Sequence, residues 1–143
     1  MRRPIVPQPA QRLTWWRKLV IVLEILLTYA RIRWLFRDEN AIDAMPRIRS
    51  GRWVPFSGSA ERMYGTGLRL GRIVNQTLGP LPYDTRCLFS SLTLGALLHR
   101  RGIETKLVIA VRPQPFAAHA WVEHAGRPLL PPSNTDFERI TEL

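Results

Sequence analysis

The apolar residues of this chain recur three and four positions apart in several stretches, of which residues 13–37 are the first. The apolar positions of this stretch are Leu13, Trp16, Leu19, Val20, Leu23, Leu26, Leu27 and Ala30. Such spacing places them on one face of a helix, and a face of this kind usually packs against a core. We therefore predict a long helix that buries this stripe, in preference to a helix that lies on a membrane surface.

Two more long helices are predicted before the pattern changes. Residues 38–60 are rich in Pro, Gly, Asn and Asp, which predicts a loop with room for a short helix at 39–46. The helical spacing returns over 61–78 and again over 86–101. Gly102 follows the last of these helices, where glycine commonly closes a helix.

The residues that follow predict short strands. Residues 104–112 are rich in β-branched side chains, and 117–124 alternate between the two sides of a strand. The pair Ala125-Gly126 is typical of a hairpin turn, and a short third strand follows at 127–130. Helices followed by a small antiparallel sheet indicate an α+β fold.

The chain has the length of one domain. Residues 1–12 are rich in Pro, Gln and Arg, and we expect them to form a flexible arm. The rest, 13–143, is expected to be a single domain. Its helical part is 13–80, and its core, with the cysteine-bearing helix and the sheet, is 84–143.

Composition restricts the chemistry of the protein. The 143 residues carry a formal net charge of +10 and a single cysteine. One cysteine excludes an intramolecular disulfide and cysteine-rich zinc sites, and it suits the cytoplasm, so we expect a cytoplasmic protein without metal or cofactor. The apolar run from Leu19 to Ala30 contains Glu24 and is too short to span a bilayer. The positive charge favours acidic partners, such as nucleic acid, anionic lipid or an acidic peptide.

Cys87 and His119 are the candidate catalytic pair. Cys87 lies in the first turn of the helix predicted over 86–101, where unpaired N–H groups and the helix dipole favour a thiolate. His119 lies in the strand predicted over 117–124, and its imidazole has the chemistry to accept the thiol proton. On these residues alone, a buried inert cysteine and a structural histidine stay open as alternatives.

A longer set of residues resembles a known family. The matching segments are RCL at 86–88, SLTL at 91–94, LLHRRGI at 97–103, KLVIAV at 106–111 and PFAAHAWVE at 115–123. They resemble the lasso peptide biosynthesis B proteins, which belong to the transglutaminase-like superfamily of cysteine peptidases. The resemblance is closest over 68–130, and it implies a transglutaminase-like core related to that of papain.

The resemblance implies a leader peptidase. Members of the family remove the leader from a ribosomally made precursor peptide, and a separate ATP-dependent cyclase then closes a macrolactam. In many cases the B function is divided between a small leader-recognition protein and a peptidase, and this chain resembles the peptidase half. The implied partners are the precursor, the separate recognition protein and the cyclase, with no nucleic acid and no transmembrane segment.

By the same resemblance, Cys87 is the nucleophile and His119 the base. The third member of the family's triad is an Asp, and its position is occupied here by Pro131. A three-residue turn at 124–126 would place residue 131 directly across from His119, which is where an orienting carboxylate is needed.

Proline cannot orient an imidazole, so the third residue has to come from elsewhere. Either Asn134 or Asp136 takes this role, or the enzyme works as a Cys-His dyad, or the site is inactive. We favour Asn134 as the third catalytic residue, since Asp136 is more easily assigned as the cap of a short helix at 137–142.

Two alternatives to a peptidase stay open. The first is a non-enzymatic basic module that binds nucleic acid or anionic lipid through its arginine-rich helices, and it predicts that Cys87 is dispensable. The second is an acyltransferase of the same fold, because an amine as well as water can attack a thioester. The sequence does not separate hydrolysis from acyl transfer.

Overall fold

Four helices precede a four-stranded sheet in the part of the chain that the structure, a computed structural model, describes: residues 14–38, 41–49, 54–80, 86–113, 116–129 and 138–142. The helices are α1 (Trp15–Asp38), α2 (Ala41–Arg49), α3 (Ala60–Leu78) and α4 (Arg86–Arg100). The strands are β1 (Lys106–Pro113), β2 (Phe116–His124), β3 (Arg127–Pro128) and β4 (Glu138–Glu142). This order confirms the predicted α+β fold, while the arm predicted at 1–12 lies outside the described residues.

The sheet is antiparallel, in the order β3-β2-β1-β4. β1 and β2 pair along their whole length, from Lys106 opposite Glu123 to Pro113 opposite Phe116. β3 pairs with the last residues of β2, and β4 pairs with the other edge of β1. β1 is therefore a central strand with a neighbour on each side.

The short helix predicted at 137–142 is wrong, because Glu138–Glu142 form the strand β4. This segment includes the β-branched residues Ile140 and Thr141, which suit a strand. The free edge of β1 offers unpaired backbone groups, and β4 satisfies them. The conformation of this short segment is therefore determined by its pairing with β1, which is distant in the sequence, as well as by its own residues.

α4 ends at the glycine that the sequence predicts. Gly102 has a φ of 74°, and its N–H donates to the carbonyl oxygen of His99 at 3.0 Å. The next N–H, that of Ile103, donates to the carbonyl oxygen of Leu98 at 2.9 Å. These two bonds form a Schellman motif, whose left-handed residue is usually glycine. The backbone around Val54 passes so close that a Cβ on Gly102 would collide with it.

The main hydrophobic core lies around α4, between the other helices and one face of the sheet. Its fully buried members include Ile25 and Ile32 from α1, Val74 from α3, and Leu97 and Leu98 from α4. The sheet contributes Leu107, Ala120 and Val122 to the same cluster. Helices therefore cover α4 on one side, and the sheet covers it on the other.

α1 forms where it is predicted, but it buries the opposite face. The residues that it buries are Ile25, Thr28, Tyr29, Ile32 and Leu35. The predicted stripe is exposed instead: Trp16, Leu19, Val20, Leu23, Leu26 and Leu27 are each 40–70% exposed. The helix is apolar on both faces, and periodicity does not indicate which of two apolar faces meets the core.

Contacts with α4 and with the residue that follows it explain this orientation of α1. The guanidinium of Arg101 forms an ion pair with the carboxylate of Glu24 at 2.8 Å. The ring of Tyr29 meets the ring of Phe89 edge to face, with ring centroids 6.1 Å apart. These polar and aromatic partners select the face of α1 that turns inward. Among the described helices, none is long and apolar enough to cross a membrane.

Candidate active site

Cys87 is the second residue of α4 and therefore lies in the first helical turn, as predicted. Its side chain is half-buried and packs against the main core cluster. N–H groups in the first turn of a helix have no partner within that helix, and they can stabilise negative charge at its start. The location suits a nucleophile whose reaction forms an oxyanion.

Two contacts define the direction in which α4 crosses the sheet. The hydroxyl of Ser91 donates to the carbonyl oxygen of Ala120 at 3.0 Å. A Cβ placed on Gly95 would lie 3.5 Å from the hydroxyl of Thr105, which precedes β1. The helix face that carries residues 95 and 91 therefore runs toward the first half of β2. Cys87 continues this face one turn further, about 6 Å along the helix axis, at the His119 end of the strand.

His119 is half-buried on β2. Its ring is nearly parallel to that of Trp121, at an interplanar angle of 27° with centroids 6.0 Å apart. Burial lowers the pKa of the His119 imidazole below its ordinary value, because desolvation disfavours the charged form. The neutral imidazole is the form that accepts a proton, so this shift suits a general base.

The structure brings α4 and β2 together but places the two candidate side chains on opposite sides of the sheet. Cys87 packs against the main cluster, which contains Ala120. His119 pairs with Ala110 and shares its sheet face with Trp121, which belongs to a second cluster. Adjacent strand residues point to opposite faces. The thiol and the imidazole therefore lie on either side of β2.

The third catalytic residue stays a prediction. Asn134, Asp136 and Pro131 all lie outside the described residues. The three-residue turn predicted at 124–126 is wrong, because His124 pairs with Arg127 and leaves a turn of Ala125 and Gly126. Both turn residues have positive φ, 51° and 77°, as a two-residue type I′ turn requires.

Glu123 and Ser91, to which the sequence assigned no role, help to position the two candidate residues. The indole N–H of Trp121 donates to the carboxylate of Glu123 at 3.0 Å, and both side chains are buried. Glu123 thus holds the ring against which His119 lies. The hydroxyl of Ser91 ties α4 to β2, a contact that the sequence did not indicate. The alternation His-x-Trp-x-Glu was the available signal for the first of these roles.

A cavity of about 900 Å³ follows the same face of α4 in the direction away from Cys87. α4 lines it with Ser91, Gly95 and His99, and the sheet lines it with Lys106 and Glu123. Neither Cys87 nor His119 is among its described lining residues. The cavity therefore begins one helical turn beyond the candidate nucleophile.

The described residues contain no group of three His, Cys, Asp or Glu side chains arranged to hold a metal ion. The candidate reactive groups are the thiol of Cys87 with the N–H groups at the start of α4, and the imidazole of His119 on the other side of β2. These are the parts used in nucleophilic acyl transfer through a thioester.

Comparison with known proteins identifies the superfamily of the chain. Residues 20–142 match the transglutaminase-like superfamily. The chain is also similar to the microcin J25-processing protein McjB of Escherichia coli, with 44% identity over 45 residues that cover 32% of this chain and 22% of that protein. No solved structure matches significantly. Because the family match covers most of the described residues, the chain belongs to the transglutaminase-like superfamily.

Proposed function

We propose that this protein is a cysteine peptidase that removes the leader from a ribosomally made precursor in lasso peptide biosynthesis. The observation that carries the proposal is Cys87 in the first turn of α4, in a superfamily member whose α4 is tied to β2 beside His119. The similarity to a protein named for processing microcin J25 supports a precursor peptide as the substrate.

In the proposed reaction, the sulfur of Cys87 attacks the carbonyl carbon of the scissile peptide bond. The imidazole of His119 takes the thiol proton and transfers it to the amine that leaves. N–H groups at the start of α4 stabilise the oxyanion of the tetrahedral intermediate. Water then hydrolyses the thioester, which releases the leader with a new carboxylate and restores the thiol.

The two side chains have to meet at the edge of β2 for this proton transfer. Because His119 lies beside Trp121 on the face of β2 away from Cys87, proton transfer requires that the imidazole leave this place and reach the thiol around the edge of the strand when substrate binds. The catalytic hydrogen bond would then form only in the complex. A separate leader-recognition protein that delivers the precursor would favour the arrangement in which the imidazole meets the thiol.

The charge of the protein supports an acidic partner. The chain carries a formal net charge of +10, which attracts an acidic leader or an acidic recognition protein. We expect leader capture to weaken as salt is raised from low to physiological concentration.

The free amine that cleavage exposes on the remaining peptide is the group that the cyclase then joins to a side-chain carboxylate.

Mass spectrometry of the reaction products tests the proposal. The protein is incubated with a candidate precursor and a candidate recognition protein, and two peptides whose masses account for the precursor plus one water are expected. Cys87→Ala and His119→Ala should each abolish cleavage. His124→Ala, on the same strand, is the matched control and should retain it. Cleavage by the Cys87→Ala variant would refute the peptidase, and a product that carries an added amine would assign acyl transfer instead.

A further inference from the structure

The exposed side of α1 is an apolar surface that the other described residues leave uncovered. We call it the outer face of α1, and its members are Trp16, Leu19, Val20, Leu23, Leu26, Leu27, Ala30 and Trp34. Leu27 is 70% exposed and Trp34 is 64% exposed. From Trp16 to Trp34 the face extends for about 27 Å at 1.5 Å per residue. Soluble proteins rarely expose a continuous apolar surface of this length without a partner.

The opposite side of the same helix is already buried in the core. Ile25 and Ile32 are fully buried there, packed in the main cluster. A helix that is apolar on all sides is normally covered on all sides. The outer face of α1 is therefore a surface for contact with something other than the fold around it.

The charges around the outer face are positive. Arg17, Arg31 and Arg37 of α1 are exposed. The acidic residue in the middle of the helix, Glu24, is engaged by Arg101 at 2.8 Å on the inward side. An apolar face flanked by arginines fits the surface of an anionic membrane, where acidic lipid headgroups meet apolar acyl chains.

The ends of the outer face carry tryptophan. Trp15 and Trp16 stack with ring centroids 4.0 Å apart at one end, and Trp34 stands at the other. Tryptophan is favoured at the membrane interface because its ring is apolar and its N–H is polar. A second copy of the chain fits less well, since it would bring two arginine-flanked surfaces of +10 proteins together.

We propose that α1 lies along the surface of an anionic lipid bilayer, with its outer face inserted between the headgroups. This interaction surface is separate from the candidate active site on α4 and β2, and it does not depend on the proposed peptidase activity. Binding combines burial of the leucines and tryptophans with attraction of the flanking arginines to lipid phosphates.

Co-sedimentation of the full chain with vesicles tests the proposal. Vesicles of phosphatidylcholine with one third phosphatidylglycerol should bind the protein at least tenfold more strongly than vesicles of phosphatidylcholine alone, because several arginines near the surface are attracted to the anionic headgroups. Raising the salt concentration should weaken this binding. Equal binding to both kinds of vesicle, or binding to neither, would overturn the proposal.

Variants locate the surface. Leu23→Glu and Leu27→Glu each place a carboxylate on the outer face, and each should weaken binding to the anionic vesicles about tenfold or more. Phe116→Glu is the matched control, because it places the same carboxylate at an exposed apolar residue of β2 instead of α1. Binding by Leu27→Glu at the level of Phe116→Glu would show that α1 is not the contact.

Two measurements on the unmodified protein keep the test independent of how the variants fold. Brominated lipids in the anionic vesicles should quench the tryptophan fluorescence, since Trp16 and Trp34 would lie where the headgroups meet the acyl chains. Light scattering without vesicles should give the mass of one chain. A stable dimer that Leu27→Glu dissociates would instead assign the outer face to a second copy and overturn the lipid proposal.

Discussion

α4 and α1 are both helices with apolar side chains on more than one face, yet their surroundings differ. α4 presents leucines to the other helices and small residues such as Ser91 and Gly95 to the sheet, and both sides are covered. α1 has comparable apolar residues on both sides, but only its Ile25 side is covered within the described structure. Apolar periodicity thus identifies a helix and its faces, while the partner of each face comes from the rest of the chain or from outside it.

The largest expected difference between the two helices is in the free energy of unfolding, when a leucine of each is replaced by alanine. Leu97 of α4 is 0% exposed and Leu27 of α1 is 70% exposed. Leu97→Ala should lower the free energy of unfolding by about 2–5 kcal/mol, because it leaves a cavity. Leu27→Ala should change it by less than about 0.5 kcal/mol, as exposed substitutions do.

Urea denaturation followed by circular dichroism measures both values. The two proteins should have equal denaturant slopes, so that the difference lies in the midpoints. A large loss of unfolding free energy for Leu27→Ala would mean that the outer face of α1 is covered within the isolated protein. The contrast between the two helices would then disappear.

A smaller effect concerns the hydrogen bond that ties the sheet side of α4 to β2. Ser91→Ala removes the hydrogen bond to the carbonyl oxygen of Ala120, and it should cost about 0.5–1.5 kcal/mol of stability. Because Ser91 sets the position of α4 over β2, peptide cleavage should fall further than this stability loss explains. Ser90→Ala, at the neighbouring half-buried position, is the control.

Cleavage rates at a temperature where both variants are fully folded make this measurement. If Ser91→Ala lowers stability and leaves the cleavage rate unchanged, the hydrogen bond stabilises the fold without positioning the nucleophile. If both variants lower the rate equally, the effect belongs to the helix surface in general.

The features that the sequence predicts well are those determined by neighbouring residues. Gly102 ends α4 because a left-handed residue is needed there, and only local backbone geometry is involved. The place of Cys87 in the first turn of α4 follows from the same local pattern. The predicted transglutaminase-like superfamily is confirmed over residues 20–142.

The features that it predicts poorly depend on contacts between distant residues. Glu138–Glu142 become a strand because β1 has a free edge, and α1 turns its Tyr29 side inward because Phe89 and Arg101 lie there. The sheet face of His119 follows from its pairing with Ala110. None of these relations is visible in the spacing of one segment.

The smallest expected effect concerns His119, which lies on the sheet face away from the main core around α4. Burial lowers the pKa of its imidazole below the ordinary value of about 6.5. The unfolded chain therefore binds this proton at a higher pH than the folded protein does, and stability falls as the pH drops from about 6.5 through the lowered value. Above about 6.5 the group is neutral in both states and its contribution is constant.

His119→Asn should remove this part of the acid sensitivity, whereas His124→Asn on the same strand should not. Melting temperatures at about pH 7.5, 6.5 and 5.5 would be compared for the three proteins, in the range where an ordinary histidine titrates. If His119 is also the catalytic base, the cleavage rate of the unmodified protein should rise with pH through the same interval, because only the neutral imidazole accepts the thiol proton. If the melting temperatures of the unmodified protein and His119→Asn change equally with pH, burial does not lower the pKa of the His119 ring. The two faces of the sheet would then differ less in burial than the two faces of α1 do.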